Sequence, residues 1–225
     1  MHATRTRSGL VRALVFLHRG RSGSSNRRLL VQTLVECRWR LLALSVSNNR
    51  ISTVSPDALR GLTSLKSLDL SDNRIATLPR EFLLVAPSLR ALSLDGNRII
   101  PNREDGGTLL EGPNLTRLSL QRCNLGYLSP SALSQLPSLE ILDVSANQLT
   151  EIPAQLPPLL HRLDIFDNPL RCSDPEVRTR LLKLEQVYSD CVLTPQDPSQ
   201  PKRSEAMINA HDIGLPAIFA GLMCE

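Results

Sequence analysis

The sequence predicts an α/β solenoid: an arc of stacked coils with short parallel strands on the concave face and an irregular convex side. Three observations carry that reading. Leucine supplies 43 of the 225 residues while aromatics make up only 3%, which fits many small similar units better than one irregular globule. A phrase L-x-x-L-x-L-x-x-N-x-L recurs as LLALSVSNNRI (41–51), LKSLDLSDNRI (65–75), LRALSLDGNRI (89–99), LTRLSLQRCNL (115–125), LEILDVSANQL (139–149) and LHRLDIFDNPL (160–170). The copies start 24, 24, 26, 24 and 21 residues apart, a near-constant period of the length that one coil of a solenoid needs.

Each part of the phrase has a physical task. Within x-L-x-L alternate side chains point to opposite faces of a strand. Leu68 and Leu70 therefore point inward, and Ser67, Asp69 and Ser71 outward. Strands of successive copies lie side by side as a parallel sheet. Asn49, Asn73, Asn97, Asn147 and Asn168 occupy the turn after each strand, where an amide can satisfy free backbone groups of adjacent coils. Cys123 stands at that position in the fourth copy and reads as a small buried thiol. The segments 54–64, 78–88, 128–138 and 152–158 carry the chain round the convex side, with Leu59, Phe82 and Leu133 packing behind the strands. The longest connection, 101–114, reads as a tolerated insertion with an exposed turn at Glu104–Gly107.

This phrase and period identify the chain as resembling the leucine-rich repeat proteins, with about six repeats over residues 37–170. The resemblance implies a horseshoe arc whose concave sheet binds a protein ligand or receptor. Residues 171–225 then form a C-terminal cap and tail. Ser173 or Asp174 caps a helix that opens on Pro175 and Glu176, and Val177, Leu181, Leu184 and Tyr188 recur at helical spacing to cover the last coil. N-P-L-x-C at 168–172, C-x-x-x-P at 191–195 and Cys224 resemble the cysteine-containing C-terminal cap of extracellular members. That resemblance implies a Cys172–Cys191 bridge. Asp174 replaces the family's usual second cysteine, leaving Cys224 without its usual partner. At the other end VECRWR (35–40) retains only Cys37 of the four cysteines such caps carry, so the family's N-terminal cap is absent, truncated or replaced, and the first rung is open to exposure. The arc places Cys37 and Cys224 at opposite ends, which argues against a bond between them. The apolar but interrupted tail, 206–225, is read as completing the cap, with a membrane-associating tail as the alternative.

Charge is divided unevenly. Residues 1–40 hold nine arginines and one acid, Glu36, whereas the remainder has a net charge of −4. A nucleic-acid-binding domain clusters its cations on a folded surface; here they crowd into a short segment, so no nucleic acid partner is expected. Residues 1–36 read as a basic tail. Arg12 interrupts the apolar stretch Leu10–Leu17, so no clear secretory signal is present, and the Arg- and Ser-rich composition also matches an organelle transit peptide. No apolar run is long enough to span a membrane.

No Gly-rich phosphate loop, nucleophile elbow or zinc spacing occurs, so no catalytic residue, metal or cofactor is assigned. His161 near Asp143 and Asp164 reads as an exposed surface group. The candidate partner-binding residues are those of the concave face: Lys66, Asp69, Asp72, Arg90, Asp95, Arg117, Gln121, Arg122, Glu140, Asp143, His161, Arg162, Asp164, Phe166 and Asp167. Arg117 and Arg122 form a basic spot beside an acidic Asp143–Asp164–Asp167 patch, and Phe166 is the aromatic anchor. Asn114-Leu115-Thr116 is an N-glycosylation sequon if the chain is exported. The expected function is extracellular, non-enzymatic protein recognition; the alternatives are an intracellular scaffold or adaptor and an organelle-imported protein.

Overall fold

A computed structural model describes residues 41–101 and 107–191, together with the backbone of three short strands at 17–19, 27–29 and 223–224. The N-terminal tail's targeting character, Cys37, the 102–106 tip and the 192–222 segment lie outside the described residues. Strands β1 (Leu17–Arg19), β2 (Arg27–Leu29) and β4 (Ile51–Val54) form a small sheet. The main sheet takes β3 (Leu41–Ser45), β5 (Ser67–Asp69), β6 (Ala91–Ser93), β7 (Arg117–Ser119), β8 (Ile141–Asp143) and β9 (Arg162–Asp164) in parallel. Strand β10 (Gln186–Tyr188) continues it in parallel beyond β9, and β11 (Met223–Cys224) adds an antiparallel strand beside β3. This is the predicted solenoid of about six coils.

The register explains why the phrase needs its leucines. Leu44, Leu68, Leu92, Leu118, Leu142 and Leu163 are successive cross-strand partners, each at most 2% exposed. Every coil thus hands its leucine to the same interior column, and the apolar side chains of all coils share one core. Leu59, Phe82 and Leu133 close that core from the convex side, where they are buried as expected.

The asparagine ladder forms as chemistry requires. Asn147 Oδ1 accepts from the backbone N–H of Cys123 and Leu125 at 2.9 and 3.0 Å, and its Nδ2 donates to the carbonyls of Leu120, Val144 and Ser145. One amide therefore ties two coils. Asn73, Asn97 and Asn168 repeat the arrangement, accepting from Ile51, Ile75 and Leu149. Cys123 keeps half of it: its Sγ donates to the Leu94 carbonyl at 3.3 Å, as Asn147 donates to Leu120. Its thiol is buried, and that burial pushes its pKa up to about 12.

The residue before each ladder position turns the chain through the left-handed region. Asn48, Asp72, Gly96, Arg122, Ala146 and Asp167 all have φ between 50° and 67°. Only Gly96 escapes the cost of a side chain there, and a Cβ at that site would also lie 2.4 Å from Asp72 Oδ1.

Two expectations about the ends are corrected, and one left open is narrowed. The helix is shorter than its apolar spacing implied: α1 runs Pro175–Leu181, capped by Asp174, whose side chain accepts from the Glu176 N–H at 2.8 Å. Val177 and Leu181 cover the last coil, but Tyr188 belongs to β10, because the free edge of β9 offers backbone partners that an eighth helical residue could not use. Of the alternatives for the first coil, replacement of the usual cap fits the pairing of β11 with β3 and of β2 with β4. Finally, Cys224 does not lie at the far end of the arc. It is the backbone partner of Leu41, so the chain's last residues join the N-terminal coil rather than completing the C-terminal cap.

Candidate interaction surface

The concave face is a grid. Across the strands run two columns of outward positions: Ala43, Ser67, Ala91, Arg117, Ile141, Arg162 and Gln186, then Ser45, Asp69, Ser93, Ser119, Asp143, Asp164 and Tyr188. Lys66, Arg90, Glu140 and His161 precede the strands, and Asp95, Gln121 and Phe166 follow them. All the sequence-assigned residues fall on this face or its rims. They do not share one environment.

Lys66, Arg90, Asp72, Arg122 and Asp167 are exposed, while Asp69, Asp95, Arg117, Glu140, His161 and Arg162 are partly covered. Asp143 and Asp164, expected as exposed docking charges, are 0% exposed, and Gln121 and Phe166 are likewise buried at 7% and 8%. The cause is visible in their partners. Asp143 accepts from Gln121 Nε2, from the Ser145 N–H and from Ser145 Oγ. Asp95 accepts from Ser119 Oγ at 2.5 Å, from the Gln121 N–H at 2.8 Å and from Ser93 Oγ at 3.1 Å. Ser45 Oγ donates to Asp69 Oδ2 at 2.8 Å. Serines and a glutamine thus carry each carboxylate across to the neighbouring coil, and these acids are internal ties of the sheet. Burial nevertheless prevails over those hydrogen bonds and pushes the carboxyls of Asp95 and Asp143 above the ordinary carboxylate range.

The expected Asp143–Asp164–Asp167 patch therefore reduces to Asp167 as its exposed member. Asp164 is held by Arg162, whose Nε lies 3.3 Å from Oδ2, so the reading of Asp143 and Asp164 as surface companions of His161 is also corrected. Arg162 in turn lies over the Tyr188 ring, 4.9 Å from its centroid. Sequence reasoning missed Tyr188 as a face residue, because QVY carries no leucine phrase to mark a strand. Asn114 is exposed and its Nδ2 donates to the Pro87 carbonyl at 3.1 Å. Cys172 and Cys191 are joined, with Cα atoms 5.3 Å apart.

A shallow hollow on another part of the surface, between the second and third coils, is lined by Leu84, Pro87, Pro113, Asn114 and neighbouring apolar residues, none of them titratable. Among the described residues no helix is long and apolar enough to cross a membrane.

The stacked coils, amide ladder and leucine columns define a class of repeat proteins, and comparison with known families agrees. The family described as "Leucine rich repeat" matches residues 40–99 and 113–170, more than half of the chain. The chain belongs to the leucine-rich repeat family, whose members are typically non-enzymatic protein-interaction modules. It is similar to podocan-like protein 1 of Mus musculus, 38% identical over 31% of this chain and 14% of that protein. Among solved structures it is similar to a leucine-rich repeat protein of Leptospira interrogans, at 34% identity and TM-score 0.51, covering 64% of this chain and 36% of that one. It also shares its fold with the crystal structure of a TLR13–ssRNA13 complex, at 23% identity and TM-score 0.55, covering 66% of this chain and 21% of that one. The chain spans well under half the length of each of these proteins.

Proposed function

We propose that this chain is an extracellular recognition module that binds a protein partner through the charged rims of its concave face. The observation that carries the proposal is the distribution of exposed charge. Lys66, Arg90 and Arg122 are exposed in the second to fourth coils, whereas Asp167, Glu185 and Asp190 are exposed at the last. A partner bearing acidic and basic groups at matching separation would dock in one orientation, with an assisted on-rate. The Cys172–Cys191 bridge supports an oxidising compartment, as does the likeness to podocan-like protein 1. On this reading residues 37–170 recognise, 171–191 cap the last coil, and exposed Asn114 is an acceptor for glycosylation.

The test applies purified full-length chain to intact cells and scores surface binding by flow cytometry. Binding should fall at least ~10-fold, about 1.4 kcal/mol, in the triple variant Lys66→Glu/Arg90→Glu/Arg122→Glu. It should persist in Glu81→Arg, on the convex side. Equal loss in both variants, or in neither, rejects the assigned face.

A further inference from the structure

We infer that Arg50, Arg74 and Arg98 form a binding row for a linear sulfated polysaccharide, laid along the flank of the first three coils. The row lies beyond the asparagine ladder and is separate from the concave strands. The inference shares with the function proposed above its extracellular setting alone, and not the protein partner.

The repeat itself builds the row. The first three copies share the triplet Asn-Arg-Ile, at 49–51, 73–75 and 97–99. In each triplet the asparagine sits at the ladder position, and the isoleucine is at most 4% exposed. The arginine between them is left to point outward, and all three are exposed. Backbone bonds fasten each triplet to the next. The Arg74 N–H donates to the Ile51 carbonyl at 2.8 Å. Asn73 and Asn97 accept from the Ile51 and Ile75 N–H groups at 3.0 and 2.9 Å. The arginines therefore step from coil to coil at the strand spacing, about 4.8 Å each and about 10 Å from first to last.

Their charges are not spent inside the protein. Among the described residues none of the three guanidiniums forms an ion pair. Asp72, the acid nearest to the row in sequence, is turned toward Gly96 of the next coil. On the other side of the row the exposed residues are Thr53, Thr77 and Ile100, none of them charged. Neighbouring arginines lie closer than the Debye length, about 8 Å at physiological ionic strength, so their fields add. Arg122 extends the positive field into the fourth coil. Beyond it the row stops: the fourth to sixth copies hold Asn124, Gln148 and Pro169 in place of the arginines, and Glu151 and Asp167 stand exposed there. A chain of residues whose net charge beyond position 40 is negative thus carries one local, ordered run of cations.

Evenly spaced guanidiniums suit a ligand with repeated oxyanions, which each planar fork can grip through two parallel hydrogen bonds. Single-stranded nucleic acid also uses aromatic faces on which its bases stack. None of the exposed residues beside the row in these three coils is aromatic. An extended acidic peptide repeats its same-face side chains about every 6.6 Å, out of step with a row of about 4.8 Å. A sulfated polysaccharide needs neither stacking nor a matched backbone, and it belongs to the same oxidising space that the Cys172–Cys191 bridge fits.

The test uses the full-length chain with heparin as the sulfated probe and reads affinity by titration calorimetry. Arg50→Gln/Arg74→Gln/Arg98→Gln should weaken heparin binding at least ~10-fold and flatten its dependence on salt, because fewer counterions are released. Lys66→Gln/Arg171→Gln/Lys183→Gln removes the same charge from scattered exposed positions and should cost less than ~3-fold. Both variants change exposed side chains only and should keep the urea midpoint of the unaltered protein. Equal losses would reduce the effect to net charge. An unchanged affinity in the row variant would hand the binding to the arginines of residues 1–40. Either outcome overturns the inference. Heparin stripped of its sulfates should bind at least ~10-fold more weakly than the intact polymer, and retained binding would defeat the sulfate assignment. A single-stranded oligouridylate that displaced heparin at a lower concentration than heparin displaces it would assign the row to nucleic acid instead. The row variant leaves Lys66, Arg90 and Arg122 in place, so failure here and failure of the concave face are read separately.

Discussion

Asn147 shows how much one side chain can hold in a solenoid. Its amide accepts two backbone N–H groups and donates to three carbonyls, all in buried surroundings. Changing it to alanine strands donors and acceptors of two coils away from water, at about 1–3 kcal/mol for each group left unsatisfied. Among the described residues Asn49 donates to Val46 and Ser47 of its own turn, and it is less buried. Urea unfolding should therefore register a loss of about 3 kcal/mol or more for Asn147→Ala. Asn49→Ala should cost less than about 1 kcal/mol. Equal losses would mean that the ladder adds nothing beyond local turn geometry.

At the scale of elements, strands and caps differ in how far their residues announce them. β5 to β9 could be read from the amino acids, because Leu68, Leu92, Leu118, Leu142 and Leu163 recur with the period of the coil, and nothing but a shared interior column accommodates that spacing. The Cys172–Cys191 bridge was legible through resemblance to extracellular caps. β10 was not, since Gln186–Tyr188 is a strand only because β9 offers an unpaired edge. The buried acids were missed for a related reason. Alternation says that Asp143 and Asp164 face outward, but whether an outward residue meets water depends on the side chains of adjacent coils that pack around it, which is a tertiary fact. The bridge itself spans a separation of 19 residues. Replacing both cysteines by serine should lower stability by about 3 kcal/mol on the chain-entropy account. The effect should appear as a lower urea midpoint, matched by adding a reductant to the unaltered protein. An unchanged midpoint would show that the cap is held by α1 and β10 alone.

For the whole molecule, the concave acids link stability to pH. Asp95 and Asp143 have folded-state pKa values above the ordinary 3.8, so between the two values the folded chain binds more protons than the unfolded one. The sign follows: their contribution is fully present below 3.8 and is lost as pH rises through the folded values. Asp143→Asn keeps one acceptor oxygen for Ser145 and, once the Gln121 amide turns over, a donor for the Gln121 carbonyl oxygen, so it should be more stable than the native chain near neutrality. Its advantage should shrink on acidification toward the ordinary carboxylate range. Paired melting curves at several pH values check this, and a difference independent of pH would place the titration elsewhere.

Cys123 interrupts the ladder midway along the arc. A thiol donates weakly and offers no equivalent of the carbonyl oxygen that grips Ile51, Ile75, Leu125 and Leu149 in the other coils. The longest connection, 101–114, falls at the same joint. In a stack where each coil touches only its neighbours, a weaker joint divides the molecule into two cooperative blocks. Thermal breathing is then expected to begin as a hinge-like parting between the third and fourth coils, so the Cys123 thiol should become reactive before either block melts.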